Sequence, residues 1–332
     1  TRSAEDYAKA IDDMLFYGSV NMYMFIGGTN FGFSTGALHT DRYMPIVTSY
    51  DYDALLTECG DITEKYIAVR DVIAKYTNKT LPPVPKNREK ASYGKVSATA
   101  SAELFENLEN LSAAIYSEVP ECMENYGCGY GYIVYRTILN RDYCNSTISF
   151  EDVGDRAQIF VNDECKGTIY VNFTTYNVTF SAMRGDVLSI VCENMGRTNI
   201  GPKMMRKKGI IGRCLIDGKI HFGWNVYPLP MENLDKLSFR KNVVKNGKTF
   251  YKFEFNIACE PNDTFLRTEN FKKGFAVLNG FNLGRYWEIG PQKTLYVPKS
   301  LLKAEKNELI IFESEGLKGE PIIEFTDAPE LG

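Results

Sequence analysis

Histidine and tryptophan are scarce in this 332-residue chain, which has two of each. Only His39 and His221 could join the eight cysteines, and no spacing among them matches a zinc site. No apolar run reaches the roughly 18 residues that a transmembrane helix needs. The net charge of -4 also lacks the basic excess that is typical of nucleic-acid-binding proteins. We therefore expect a globular protein with no metal, no nucleic-acid partner and no membrane span.

One basic cluster stands out against this acidic balance, at Lys203, Arg206, Lys207 and Lys208. A solvated loop and a phosphate site are the two interpretations. Short charge runs are more often solvated than liganded, so the pattern favours the loop.

The cysteines leave one pairing open. Cys192 lies within an apolar, strand-like run, where a buried free thiol is expected. Cys122 and Cys128 flank a short turn-like segment, and both a disulfide and two free thiols remain alternatives there.

Asparagine is more informative about the compartment. Six Asn-x-Ser/Thr sequons occur, more than chance placement predicts. They favour the secretory pathway, where such asparagines carry glycans. The predicted glycosylation sites are Asn78, Asn110, Asn145, Asn172, Asn177 and Asn262.

The first segment reads as helix, strand, loop and helix. Ser3 is a helix cap with Asp6 at the third helical position, and Gly18 ends that helix. Residues 20–26 are nearly all apolar, as in a parallel strand covered on both faces. A capping box of Asp61 and Glu64 predicts the second helix. This alternation is typical of an α/β domain.

The remainder reads as a linker followed by β structure. Proline recurs in residues 81–85, which favours a stiff connection, and short strand patterns begin near residue 115. Residues 245–248 predict a hairpin turn. Residues 157–163 resemble 275–280, and each run is followed by a second similar strand, which indicates two copies of one sandwich. The expected divisions are 1–76, a connecting segment 77–114, and sandwiches at 115–230 and 231–332.

Two glycine-containing motifs are poor candidates for a site. Residues 32–36 match the G-x-S-x-G elbow, but no helical stripe follows. Residues 127–131 lack the final glycine of a dinucleotide fingerprint and precede a strand. We expect neither a serine nucleophile nor a phosphate loop at these places.

Tyr50 and Tyr52 are separated by one residue, so in extended backbone both rings point to the same side. Such rings can pack on the apolar C–H face of a sugar while their hydroxyls bind polar groups. A half-buried strand is the plain alternative. For the nearby acids Asp51, Asp53, Glu58 and Asp61 we expect loop hydrogen bonds and helix capping.

Three long motifs carry a family resemblance. They are residues 19–32 (Ser-Val-Asn-Met-Tyr-Met-Phe-Ile-Gly-Gly-Thr-Asn-Phe-Gly), 49–53 (Ser-Tyr-Asp-Tyr-Asp) and 279–287 (Asn-Gly-Phe-Asn-Leu-Gly-Arg-Tyr-Trp). Together with 193–197 (Glu-Asn-Met-Gly-Arg), they resemble the family 35 glycoside hydrolases, the β-galactosidases, in the same order. The resemblance implies the C-terminal end of a (β/α)8 TIM barrel at 1–76, followed by two galactose-binding-like jelly-roll β-sandwiches.

The resemblance also implies a mechanism. Two glutamates would hydrolyse terminal β-D-galactosides with retention and without a cofactor, as acid/base and as nucleophile. Neither glutamate motif occurs here, so both are expected upstream of Thr1 and the isolated chain should be inactive. Tyr23, Tyr50 and Tyr52 match the galactose pocket, with Tyr23 directed towards the nucleophile.

The remaining implications concern partners and compartment. The expected substrates are galactose-terminated glycans, glycolipids or oligosaccharides, in a lysosomal or extracellular enzyme. A homodimer is one alternative for its assembly. The rival interpretation is a non-catalytic carbohydrate-binding or scaffold protein of the same family.

Overall fold

The computed structural model describes residues 2–244 and 247–332. Lys245 and Asn246, within the predicted hairpin turn, lie outside the described residues. The helices are α1 (Ala4–Tyr17), α2 (Glu64–Tyr76) and α3 (Leu108–Leu111), with short 3-10 turns at Met123–Tyr126, Leu234–Lys236 and Lys299–Leu301. The strands, numbered in chain order, are β1 (Gly36–His39), β2 (Tyr43–Pro45), β3 (Gly94–Ser97), β4 (Ala100–Glu103), β5 (Ile115–Ser117), β6 (Tyr132–Ile138), β7 (Tyr143–Gly154), β8 (Arg156–Val161), β9 (Glu164–Tyr170), β10 (Asn177–Ala182), β11 (Val187–Glu193), β12 (Arg197–Thr198), β13 (Gly209–Ile216), β14 (Lys219–Ile220), β15 (Trp224–Leu229), β16 (Thr249–Ile257), β17 (Thr264–Arg267), β18 (Lys273–Leu278), β19 (Phe281–Trp287), β20 (Thr294–Val297), β21 (Glu305–Glu313) and β22 (Ile322–Thr326).

The first helix forms as its caps predict. The Ser3 hydroxyl accepts a hydrogen bond from the Asp6 amide at 3.0 Å, and the Gly18 amide donates to the Met14 carbonyl. Ile11 is buried against α2, in a small cluster that also includes Leu55. The sequence thus sets both ends of α1.

The strand predicted at residues 20–26 is wrong. This segment forms only an isolated parallel bridge, between Ile26 and Leu56, and Tyr23 is 88% exposed. A parallel strand is stable only when neighbouring strands satisfy its backbone groups. Within the described residues this segment has no such neighbours.

The cap of the second helix is also shifted from its prediction. Thr63, and not Asp61, accepts the amide hydrogen bond that begins α2, from Tyr66 at 3.3 Å. Asp61 instead pairs with Lys90. Spacing alone does not show which of two candidate cap residues, placed two positions apart, begins the helix.

In the described residues β12 pairs with β1 in a small sheet of order β12-β1-β2, and the rest of the β portion consists of four stacked sheets. Their strand orders are β10-β7-β13-β14, β5-β15-β6-β11-β8-β9, β19-β18-β21-β16-β4 and β20-β17-β22-β3. Apolar clusters fill the three spaces between consecutive sheets. The two middle sheets are therefore covered on both faces, which is why β8 and β18 are buried at every residue.

The internal repeat predicted from sequence is present in the topology. The order β9-β8-β11-β6 in one middle sheet matches β19-β18-β21-β16 in the other. Ile159 opposes Ile190 in the first sheet, as Phe275 opposes Phe312 in the second. In each sheet an antiparallel hairpin, β8-β9 or β18-β19, is followed by a strand, β11 or β21, that pairs with the first strand of the hairpin.

The predicted connecting segment contributes to the second sandwich. Strand β4 pairs with β16, and β3 pairs with β22 at the other sheet. Residues 94–103 are therefore sheet rather than linker. Their Gly, Ala and Ser content gives a weak strand signal, and pairing with a distant strand overrides it.

Charged residues join the two middle sheets. Glu193 of β11 pairs with Lys273 of β18, and both side chains are at most 3% exposed. Arg156 of β8 lies 2.6 Å from Glu315, just after β21, and 3.6 Å from Glu193. Burial alone would raise the pKa of Glu193, but Lys273 and Arg156 outweigh it and hold the pKa below its usual value. Each cation therefore compensates a carboxylate that has no access to water.

We predict that Lys273→Met strongly destabilises the protein, because Glu193 keeps its charge but loses its nearest partner. The expected decrease in the free energy of unfolding is about 3 kcal/mol. Guanidinium denaturation followed by far-UV circular dichroism measures it.

Two further variants separate charge from packing. Glu193→Gln combined with Lys273→Met should recover much of the loss, because the unpaired charge is gone. Lys306→Met removes an exposed partner of Glu254 in the same sheet and should have little effect. Equal losses in Lys273→Met and Lys306→Met would contradict the assigned role of the buried pair.

Candidate functional site

The tyrosine loop, residues 48–53, runs beside residues 26–30. The Asn30 amide donates to the Thr48 carbonyl at 2.8 Å, and the Tyr50 amide donates to the Gly28 carbonyl at 2.9 Å. A Cβ at Gly27 would lie 1.5 Å from the Tyr50 carbonyl oxygen. Only glycine allows the two backbones to approach this closely.

The structure brings the three predicted tyrosines together. The rings of Tyr50 and Tyr52 are 4.3 Å apart between centroids and inclined by 43°. Burial raises the pKa of the Tyr50 hydroxyl, with further contributions from the adjacent Tyr23 and Tyr52. Tyr23 and Tyr52 are 88% and 60% exposed, so both rings are accessible to a ligand.

The four nearby carboxylates are structural. Asp51 accepts the Glu58 amide at 3.2 Å, Asp53 pairs with Lys65, and Asp61 pairs with Lys90. Glu58 is 5% exposed and accepts the Thr29 hydroxyl at 2.5 Å; burial raises its pKa. All four acids therefore have partners within the protein. The expected loop hydrogen bond is present at Asp51, whereas the expected helix capping is not, because Thr63 caps α2.

Strand β19 and the residues after it hold the tyrosine loop in place. The Thr48 hydroxyl donates to the Arg285 carbonyl at 2.7 Å. The Ser49 amide donates to Oε1 of Gln292 at 2.9 Å, and the Gln292 amide group donates to the Thr294 carbonyl. The distant motif at 279–287 therefore fixes the position of the motif at 49–53.

Gly284 makes a second close contact with the tyrosine loop, after that of Gly27. Its φ is +118°, and a Cβ there would lie 2.4 Å from Cγ2 of Thr48. The Gly284 amide donates to the Asn282 side chain at 2.9 Å, which further restricts the backbone at this position. A larger residue would be strained and would also displace Thr48.

Phe33 anchors the other side of the loop. It is 9% exposed and packs edge-on against Phe275, with ring centroids 5.1 Å apart. The Arg285 guanidinium lies 4.9 Å from the Phe33 ring and donates to the Asn194 carbonyl at 2.8 Å. The motif at 193–197 thus meets the motif at 279–287 beside Phe33, which directly follows the motif at 19–32.

Sequence reasoning missed the residues that position the site. Thr48, Gly284 and Gln292 lie within or beside the family motifs, but nothing in their local pattern indicates a contact over more than 200 residues. The only available signal was that the motifs are long and occur together.

The discarded motifs form no catalytic group in the structure. The Ser34 hydroxyl donates to the Phe31 carbonyl, and strand β1 follows in place of a helix.

Cys122 and Cys128 are free thiols. Cys122 donates to the Asn125 side chain, and Cys128 donates to the Tyr130 carbonyl.

The solvated-loop interpretation is wrong for part of the basic cluster. Lys208 is 1% exposed and lies 2.6 Å from both oxygens of Asp155. Arg206 pairs with Asp152 at 2.5 Å. A run of basic residues does not show which members reach buried carboxylates of other strands.

Known families match three parts of the chain. Residues 1–76 match "Glycosyl hydrolases family 35", residues 120–230 match "Beta-galactosidase, first all-beta domain", and residues 248–307 match "Beta-galactosidase, galactose-binding domain". The family resemblance noted from the motifs is confirmed.

Curated relatives extend the match over nearly the whole chain. "Beta-galactosidase-1-like protein 2" of Homo sapiens is 39% identical over 95% of this chain and 50% of its own length. "Beta-galactosidase 1" of Dictyostelium discoideum is 36% identical over 96% of this chain and 52% of its own. The chain spans about half the length of these relatives. The alignment with the solved structure of a GH2 β-galacturonidase from Eisenbergiella tayi covers 70% of this chain and 38% of the galacturonidase chain. The two are 14% identical, and the TM-score is 0.21.

We predict that Gly284→Ala destabilises the protein by about 3 kcal/mol, from the strained φ together with the contact on Thr48. Thermal and guanidinium unfolding measure the loss. Gly280→Ala is the matched control, because Gly280 also has positive φ, +85°, but no atom within 4 Å of the added Cβ. It should cost about 1 kcal/mol. Equal losses in the two variants would contradict a close packing of Gly284 on Thr48.

Proposed function

Because the chain belongs to family 35 of the glycosyl hydrolases, we propose that it forms part of a β-galactosidase that acts on terminal β-D-galactosides. The observation that carries the proposal is that Tyr23 lies beside Tyr50 and Tyr52, on a tyrosine loop that Arg285 and Gln292 hold in place. Aromatic rings with hydroxyl groups suit a sugar, whose C–H face is apolar and whose edge is polar.

In the proposed enzyme, residues 1–76 are the last part of a (β/α)8 barrel and the four sheets form two jelly-roll sandwiches. Helices α1 and α2 and the parallel bridge at Ile26–Leu56 support the barrel assignment. The matched domains at 120–230 and 248–307 support the proposed division into sandwiches at 115–230 and 231–332. Strands β3 and β4 then belong to the second sandwich.

The proposed chemistry divides between this chain and two glutamates outside it. A retaining glycosidase needs an acid/base and a nucleophile about 5–5.5 Å apart. The acids beside the tyrosines are already hydrogen bonded or ion paired, and Glu58 is buried. Tyr50 and Tyr52 therefore line the galactose subsite, and the Tyr23 hydroxyl orients the nucleophile. The reaction needs no cofactor, since one carboxyl group, first as the protonated acid and then as the base, and one carboxylate nucleophile supply the chemistry.

We predict that Tyr52→Ala lowers kcat/KM for a chromogenic β-galactoside at least tenfold, measured in the longer protein that carries the catalytic glutamates. A tenfold loss corresponds to about 1.4 kcal/mol of transition-state binding, which one sugar-stacking ring can supply. Tyr17→Ala is the control, because Tyr17 is 87% exposed on α1, outside the loop. The 332-residue chain alone should show no turnover.

Each part of this proposal has its own contrary result. An unchanged kcat/KM in Tyr52→Ala would remove the tyrosines from the subsite. Turnover by the isolated chain, blocked by a galactose-type inhibitor, would show that acids within these residues do the chemistry. Galactoside binding without hydrolysis in the longer protein would favour the non-catalytic carbohydrate-binding alternative.

The proposed compartment is lysosomal or extracellular, with glycans on a subset of the sequons. No helix among the described residues is long and apolar enough to cross a membrane. Asn78, Asn145 and Asn177 are exposed. Asn172 donates its amide to the Tyr43 carbonyl at 2.8 Å, and Asn110 donates to Asn107 at 3.0 Å. A glycan on either nitrogen would replace one of its two N–H groups and crowd the partner residue. Asn262 is half-buried, and no such bond is found for its side chain within the described residues.

We predict that protein secreted from eukaryotic cells carries glycans at Asn145 and Asn177 and none at Asn172. Glycopeptide mass spectrometry after enzymatic deglycosylation in heavy-oxygen water measures occupancy. Asn145→Gln should remove one glycan mass, while the matched Asn172→Gln should leave the mass of the glycans unchanged. Full occupancy of Asn172 would contradict the hydrogen bonds assigned to it.

A further inference from the structure

A basic cavity lies where residues 39–42 meet the first sandwich and the 203–206 loop. Its volume is about 610 Å³. Arg42, Lys203 and Arg206 contribute three cations to its lining, and Asp41 contributes a carboxylate. Tyr23, Tyr50 and Tyr52 do not line it, so it is separate from the proposed galactose subsite.

Two of the three cations have no carboxylate partner within residues 2–244 and 247–332. Arg206 is neutralised by Asp152 at 2.5 Å. Lys203 contacts only the imidazole of His39, at 3.1 Å, and Arg42 is exposed beside it. The cavity therefore has a surplus of positive charge directed at a concave surface, which is an attractive field for an anion.

His39 positions Lys203 without neutralising it. Burial, then the neighbouring Lys203, Arg206 and Lys208, lowers the pKa of His39 to about 4, so the ring is neutral at ordinary pH. A lysine ammonium can only donate, so Nε2 of His39 is the acceptor and the ring proton sits on Nδ1. His39 is 4% exposed, and Nδ1 has no hydrogen-bond partner. Nδ1 is itself buried, so a ligand in the cavity does not reach it. His39 contributes instead by accepting the Lys203 hydrogen bond at Nε2, which holds the ammonium at the cavity.

The other polar groups of the wall are already engaged. Asn172 accepts from the Tyr43 amide and donates to the Tyr43 carbonyl, both at 2.8 Å. The Tyr176 hydroxyl donates to the Val171 carbonyl at 2.8 Å. The exposed Asp41 carboxylate is the exception. The cations left for an anionic ligand are Arg42 and Lys203.

We propose that this cavity binds an oxyanion, the phosphate or sulfate group of a small ligand such as a sugar monoester. Arg42 and Lys203 would neutralise the group by charge-assisted hydrogen bonds. His39 would hold the Lys203 ammonium in position for this contact, through the hydrogen bond at Nε2. Phe173, which is 48% exposed at the rim, offers an apolar surface to the ester's sugar ring.

Isothermal titration calorimetry of the full chain at low ionic strength tests the proposal. The probes are galactose 6-phosphate, galactose 6-sulfate, galactose, inorganic phosphate and inorganic sulfate. The esters should bind and galactose should not. Lys203→Met and Arg42→Gln should each weaken ester binding about tenfold, the loss expected for one charge-assisted bond. His39→Phe should also weaken it while keeping the ring packed on Tyr43, 5.3 Å away.

Lys207→Met is the matched control, because Lys207 is exposed in the same loop and does not line the cavity. Its affinity should stay within twofold of the unmodified chain. Inorganic ions that bind as tightly as the esters would identify a free oxyanion as the ligand and keep the site. No ester binding to the unmodified chain, or equal weakening by Lys203→Met and Lys207→Met, would overturn the proposal. Thermal unfolding of each variant excludes loss of fold as the cause.

Discussion

Burial of the two middle sheets on both faces is the constraint on which the rest of this structure depends. Every side chain of β8 and β18 must be satisfied inside the protein, including the charged ones. Glu193 pairs with Lys273, and Arg156 with Glu315, across the interface between these sheets, and Arg156 also lies beside Glu193 within its own sheet. Such pairs add little net stability relative to apolar residues, but a mispaired register would leave a charge buried alone. They therefore fix how the two sandwiches meet.

The candidate site inherits its geometry from that interface. Strand β19 is the hairpin partner of β18, and the backbone of β19 holds Thr48. Phe33 packs on Phe275 of β18 itself. The tyrosine loop is thus positioned by a sheet whose own position is set by buried charges. Loops of this kind bind ligands with less ordering cost, because their backbone is fixed before the ligand arrives.

The sequence predicted those features that local physics decides. The Ser3 cap, the long strands and the repeat of the middle sheets are set by neighbouring residues and are confirmed. The strand at 20–26 was wrong because apolar character indicates burial only where partners exist. Strands β3 and β4 were missed because pairing with β22 and β16 overrides their composition. The alternation of side chains in extended backbone predicted from the sequence that Tyr50 and Tyr52 lie on the same side. Only the fold showed that Gly284 and Gln292 contact the same loop.

One segment, residues 33–49, connects the tyrosine loop with the basic cavity. It is anchored at Phe33, at Tyr43 and at Thr48, and each anchor is at most 9% exposed. The Tyr43 hydroxyl donates to the Gly196 carbonyl at 2.7 Å and lies 2.9 Å from Asp155, which Lys208 neutralises. For a ligand in the cavity to alter the tyrosines, it would have to favour a second arrangement of these anchors. Close packing and multiple hydrogen bonds oppose any such arrangement, so the two sites should bind their ligands independently.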